Sequence, residues 1–155
     1  MSAHAVAHRT QRSTYHQKSL RPIRVLLVDD HFLVRQALRK SLDRFVDINL
    51  VGEAANGEEA VKQVDRLEPA VVVMDINMPG MDGIEATGRI MRKHPDLHVI
   101  GLSFNVGKKN QEAMSNAGAH TLLDKGAAHE QLYRVISQAV SKVTDASSSG
   151  MRRAV

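Results

Sequence analysis

The chain contains no cysteine and no tryptophan among its 155 residues. Without cysteine there are no disulfides and no thiol chemistry, which fits a reducing compartment such as the cytoplasm. Aromatic residues make up only 3%. The core must therefore be aliphatic, and no aromatic cluster offers bases a stacking platform. No apolar run approaches the roughly 18 residues of a membrane span, and no apolar leader stretch opens the sequence. A Gly-x-Gly-x-x-Gly motif is missing after the first apolar run, as is a glycine loop ending in Lys-Ser or Lys-Thr. Nucleotide binding thus has no direct support. No segment repeats.

What is present is ordinary for a soluble globular protein: 43% hydrophobic and 25% charged residues. The length suits one domain plus tails, with about two-thirds of the chain's surface buried on folding. The pI of 9.6 invites a nucleic-acid reading, but the charge is in the wrong place. Residues 1–22 carry Arg9, Arg12, Lys18 and Arg21 and no acid, and residues 144–155 carry Arg152 and Arg153 against Asp145. The body between them holds 15 basic and 16 acidic residues, so the basic character belongs to the tails.

Residues 1–22 have no sustained apolar period and are expected to be a linker or disordered tail bounded by Pro22. Strands are expected at Ile23–Val28, Ile48–Ala54, Ala70–Met74, Leu97–Leu102 and His120–Leu123. The second is more polar and suits a sheet edge. Helical stripes appear at Leu33, Val34, Ala37, Leu38 and Leu42, at Ala60, Val61, Val64 and Leu67, and from Gly83 to Lys93. A weaker helix covers Lys108–Ala117 with Gly118 as its C-cap. The last stripe runs Leu132, Val135, Ile136, Ala139, Val140 and Val143. The folded domain is expected over 23–143 and a flexible tail over 144–155. Five strands alternating with five helices predict an α/β fold, a doubly wound parallel sheet.

The chain is organised around Val71–Gly83. An apolar β-branched run ends on Asp75, and Pro79-Gly80 turns follow. Ligands of an open parallel sheet bind outside the carboxyl ends of its strands. Strand one ends in Asp29-Asp30, strand three in Asp75, strand four in Ser103, and strand five near Lys125. Taken singly, Asp30 could cap a helix, Ser103 could serve a turn and Lys125 could be a solvated charge. Gathered at one sheet edge, they point to chemistry. Three close carboxylates repel by roughly 4 kcal/mol per pair at ~4 Å and an effective dielectric near 20. Lys125 alone does not neutralise them. An all-oxygen, carboxylate-rich site suits Mg2+. A nucleophilic carboxylate, a divalent ion, a lysine and a hydroxyl are the parts of a phosphoryl-transfer site. His31 and His120 show no metal-ligand spacing and read as surface or turn residues.

The segments Val25–His31, Met74–Gly83, Ile100–Ser103 and Ala117–Ala119 followed by Lys125 resemble the receiver domain of two-component response regulators, of the NarL/FixJ type. Similar receivers end some hybrid histidine kinases. The resemblance spans about Ile23 to Val143 and implies a flavodoxin-like strand order of 2-1-3-4-5. It implies that Asp75 accepts a phosphoryl group from a histidine kinase or phosphotransfer domain. Asp30 would hold Mg2+ directly, Asp29 through water, with Asp75 and the Asn77 backbone carbonyl also in the metal site. Ser103 and Lys125 would bind the phosphoryl oxygens. Output would come from the face of the fourth and fifth helices, which is also where a homodimer would form. Three positions depart from the family. Gly126 stands where a proline usually follows the lysine after a cis bond, Leu122 replaces the switch aromatic, and Phe104 follows the hydroxyl in place of a small residue.

Other functions fit less well. An aspartate-dependent phosphohydrolase wants a second acid where Asn77 stands, and an amide cannot protonate a leaving group. A degenerate receiver serving only as a docking module is kept alive by Leu122, Phe104 and Gly126. A helix-turn-helix finds no room in the 12 residues after Val143, so this chain is expected to bind no specific nucleic acid, and no membrane.

Overall fold

The computed structural model describes residues 21–149. The strands are β1 (Ile23–Val28), β2 (Ile48–Ala54), β3 (Val71–Asp75), β4 (His98–Ser103) and β5 (Thr121–Asp124). Between and after them lie helices α1 (Phe32–Leu42), α2 (Gly57–Leu67), α3 (Gly83–Lys93), α4 (Lys108–Ala117) and α5 (Ala128–Ser149). All strand pairs are parallel, in the order β2-β1-β3-β4-β5. This is the flavodoxin-like, doubly wound sheet expected, with the polar β2 at an edge.

The inner strands read as unbroken apolar runs because both of their faces are covered. Side chains alternate between two cores. Leu26, Val28, Val72, Met74 and Val99 pack with Val64, Ile90 and Met114 of α2, α3 and α4. Val25, Leu27, Val71, Val73, Ile100 and Leu102 pack with Leu38 and Leu42 of α1 and with Leu132 and Ile136 of α5. A strand period of two supplies this split.

Local signals start and stop the helices. Asn56 Oδ1 accepts from the Glu59 N–H at 2.8 Å, and Glu59 reaches back to accept from the Ala55 N–H at 2.9 Å, a reciprocal cap. Asp82 Oδ1 accepts from the Glu85 N–H at 2.8 Å. Gly118 ends α4 at φ 100°, in the left-handed region where glycine carries no Cβ penalty.

Three strand positions differ from expectation by one residue. β3, β4 and β5 each begin and end one step later, because the parallel ladders run on through Asp75–Leu102 and Ser103–Asp124. Asp75 and Ser103 are thus the last residues inside the sheet, not the first beyond it. The last helix was expected to close at Val143, but α5 continues to Ser149. No proline or glycine stands between Gly126 and Gly150, and the propensity cost of Thr, Asp and Ser is small. The tail readings for residues 1–20 and 150–155 lie outside the described residues.

β2 carries an irregularity that the alternation conceals. Val25 pairs with Leu50 but Leu26 pairs with Gly52, so Val51 is an extra residue. Ile48 and Leu50 pack toward α1 and α5. After the bulge Ala54 joins the opposite core and Glu53 turns toward α1. There it meets Arg35 at 3.0 Å and Arg39 at 2.6 Å.

Candidate phosphoryl-transfer site

The carboxyl edge of the sheet brings the expected residues together. Asp29 leaves β1, Asp75 closes β3 and Ser103 closes β4. Lys125 follows β5, its N–H donating to the Ser103 carbonyl at 2.9 Å. Its Nζ lies 2.6 Å from Asp29 Oδ2 and 3.2 Å from Asp75 Oδ2. The Lys125 side chain is 5% exposed, so it is no solvated surface charge. Asp29, Asp75 and Ser103 are buried.

The backbone fixes each acid. The His31 N–H donates to Asp29 Oδ1 at 2.8 Å, and Arg35 Nη1 donates to the Asp29 carbonyl at 2.6 Å. The Asn77 N–H donates to Asp75 Oδ1 at 3.1 Å. α1 has His31 at its N-cap with no side-chain cap, so Asp30 is not the helix cap. Behind Asp75 the chain passes very close. A Cβ built on Gly83 would stand 2.1 Å from the Asp75 carbonyl oxygen, so only glycine lets α3 start there.

Electrostatics are unbalanced. Burial pushes the Asp75 carboxyl above its ordinary value, and the nearby Asp29 charge adds to this; the Asn77 N–H and Lys125 pull the other way. Burial works against the Lys125 ammonium, but Asp29 and Asp75 outweigh it and the Lys125 pKa is raised. Apart from that ammonium, Asp29 Oδ2 and Asp75 Oδ2 accept no hydrogen bond from the protein. Asp30 Oδ1 is likewise buried with only His31 Nδ1, at 3.1 Å, beside it.

Ligand atoms of Asp29, Asp30, His31 and Asp75 lie within 4.8 Å of one another. Oxygens left without donors, in negative excess, are the donor set of a hard divalent cation, so the cluster could hold a metal. His31 belongs to this group although its spacing gave no hint. Its approach follows from the turn that begins α1. Asn77 is brought to the site as expected, but its side-chain amide also donates to Ser103 Oγ at 3.3 Å. Ser103 Oγ accepts from the Asn105 N–H at 3.0 Å as well.

At the departures from the family pattern, no peptide bond among the described residues is cis, so Lys125–Gly126 is trans. Leu122 packs against the core beside Gly101 and Met114. Phe104 is 73% exposed, and its ring centroid lies 5.4 Å from Lys125 Nζ. Among the described residues no helix is long and apolar enough to cross a membrane.

Residues 25–137 match the family described as the response regulator receiver domain. The chain is 41% identical over 119 residues to the response regulator UvrY of Escherichia coli (strain K12), covering 77% of this chain and 55% of that protein. It is 39% identical over 114 residues to the response regulator GacA of Pseudomonas viridiflava, covering 74% and 53%. It therefore spans about half the length of the curated relatives it matches. Among solved structures it is similar to the response regulator domain of Thermotoga maritima CheB, with a TM-score of 0.73 and 34% identity over 78% of this chain and 98% of that one. It also resembles a LuxR-family two-component response regulator from Aurantimonas sp. SI85-9A1, with a TM-score of 0.75 and 30% identity over 78% of this chain and 86% of that one.

Proposed function

Because this chain belongs to the response regulator receiver domain family of two-component signalling, we propose that Asp75 accepts a phosphoryl group from a phosphohistidine of a histidine kinase or phosphotransfer domain. The bond from imidazole nitrogen to phosphorus breaks, a bond from phosphorus to an Asp75 carboxylate oxygen forms, and the imidazole leaves. The observation that carries this reading is the Lys125 ammonium bridging the buried Asp29 and Asp75 carboxylates at 2.6 and 3.2 Å.

Asp75 must be ionised to attack, and burial opposes that. Lys125 and the Asn77 N–H favour the charged form. Once phosphorus is bound, Lys125 pairs with a phosphoryl oxygen. Ser103 contributes its proton. A hydroxyl has two accepting positions and one donor; Asn77 and Asn105 fill the former, leaving the O–H for the phosphoryl group. Mg2+ held by Asp29, Asp30, Asp75 and the Asn77 carbonyl would draw charge from the phosphoryl oxygens.

The surroundings favour a protein donor. Of the four exposed large hydrophobics among the described residues, Phe32 and Leu33 come just after the acidic doublet and Phe104 follows Ser103. A groove of about 300 Å3 runs between Leu33, Ala37, Phe104, Lys125 and His129. Exposed apolar area concentrated at one rim marks a docking face. The chain is regulatory: it catalyses its own phosphorylation and slow dephosphorylation, in the cytoplasm, and signals by a population shift on the α4 and α5 face.

Phosphoramidate with Mg2+ tests this. Wild type gains the mass of one phosphoryl group and Asp75→Asn does not. No gain on wild type, or an equal gain on the variant, removes the reading.

A further inference from the structure

An aromatic side chain that is 73% exposed, next to a buried polar site, calls for an explanation. Phe104 buries little of its ring where it stands. It leaves β4 directly after Ser103, and the ammonium of Lys125 lies 5.4 Å from its ring centroid, within the reach of a cation–π contact. The same ammonium meets Asp29 Oδ2 at 2.6 Å and Asp75 Oδ2 at 3.2 Å. An ammonium has three donors. Two directions are taken by carboxylates and the ring covers a third side. Phe104 and Lys125 share an apolar groove with Leu33, Ala37 and His129, space into which a long flexible lysine could swing away from the acids.

We propose that Phe104 is a positioning residue whose ring face holds the Lys125 ammonium over the Asp29–Asp75 pair. It acts through Lys125 and not on the reacting atoms. The consequence for phosphoryl uptake rests on the reading of Asp75 given above, whereas the hold on Lys125 does not. The contact is electrostatic, so an aliphatic side chain of similar bulk does not replace it. Removing the ring's face while keeping its bulk frees the ammonium by the factor such a contact is worth at a partly exposed site, about 2- to 5-fold.

The test compares wild type, Phe104→Leu and Phe104→Tyr as full chains, with two readouts. Acetylation of Lys125 Nζ by acetic anhydride, followed by peptide mass, needs no phosphorylation. Phe104→Leu should be acetylated about 2- to 5-fold faster than wild type, and Phe104→Tyr at the wild-type rate. Uptake of the phosphoryl group from phosphoramidate with Mg2+ should slow by the same factor in Phe104→Leu and recover in Phe104→Tyr. Because the ring is exposed, both variants should unfold at the wild-type temperature. Equal acetylation in all three proteins overturns the proposal. If wild type takes up no phosphoryl group, the Asp75 reading fails while acetylation still decides the role of Phe104.

Discussion

The two ends of the sheet differ in how their charges are balanced. At the amino end lie two cavities of about 540 and 610 Å3, lined by Pro95, Asp96, His98 and neighbouring residues. Charge there is matched and wet: Asp65 meets Lys93 at 2.6 Å and His94 at 2.8 Å near solvent. At the carboxyl end the groove is smaller, at about 300 Å3, but three carboxylates gather there and the buried lysine meets only two of them. A hollow is a by-product of how loops close over strands. Buried charge without enough partners is costly and persists where a site uses it. This imbalance favours the smaller end as the place of the proposed phosphoryl transfer.

The largest test of this contrast is steric. Gly83→Val sets a Cβ 2.1 Å from the Asp75 carbonyl oxygen and 2.6 Å from the Ile76 Cα, backbone atoms that cannot yield. A loss of about 4 kcal/mol or more, or no folded protein at all, should appear in urea titration. Gly118→Ala at the other end meets only the Met91 side chain at 3.0 Å, at φ +100°, and should cost about 1–2 kcal/mol.

A divalent ion should separate the ends next. Mg2+ at 100 times its Kd should raise the unfolding free energy by about 2.7 kcal/mol. Asp30→Ala should lose most of this gain, and Asp65→Asn none of it.

Acid should act oppositely at the two ends. The folded Asp75 carboxyl has a raised pKa, so the native state holds that proton more tightly than the unfolded chain. Its destabilising charge is relieved as pH falls through the folded pKa. His98 and His120 have lowered values, both chiefly from burial, with His120 acting on His98 and Lys142 on His120. Their neutral forms are favoured by the fold, so stability declines as pH drops below the ordinary histidine range. Thermal unfolding from pH 7 to pH 4 should show a steeper acid decline in Asp75→Asn and a shallower one in the double variant His98→Gln, His120→Gln. The smallest effect belongs to Asp65→Asn alone. Its carboxyl is held below its usual range by Lys93 and then His94, but at an exposed site, so its unfolding temperature should barely move.

Much of the fold was legible because inner strands and helix stripes carry strong periods. The gathering of Asp29, Asp30, Asp75, Ser103 and Lys125 was legible for a topological reason: parallel strands place all their carboxyl ends together. Several things were not, the approach of His31 to the acids among them. The Asn77 amide on Ser103 depends on how the turn after β3 folds back. Phe104 over Lys125 depends on a loop rotamer. The Val51 bulge was hidden because Ile48, Leu50 and Val51 are all apolar, so neither alternation of β2 looked wrong.

That bulge has a reach beyond the edge strand. Were Val51 to take a regular place in the ladder opposite Leu26, every later residue of β2 would shift by one and Glu53 would swing to the opposite side of the sheet. Arg39 would lose its carboxylate, and Arg35, which grips the Asp29 carbonyl, would lose its anchor. One supernumerary residue in an outlying strand thus tensions the acidic loop two elements away, like a peg on a string instrument.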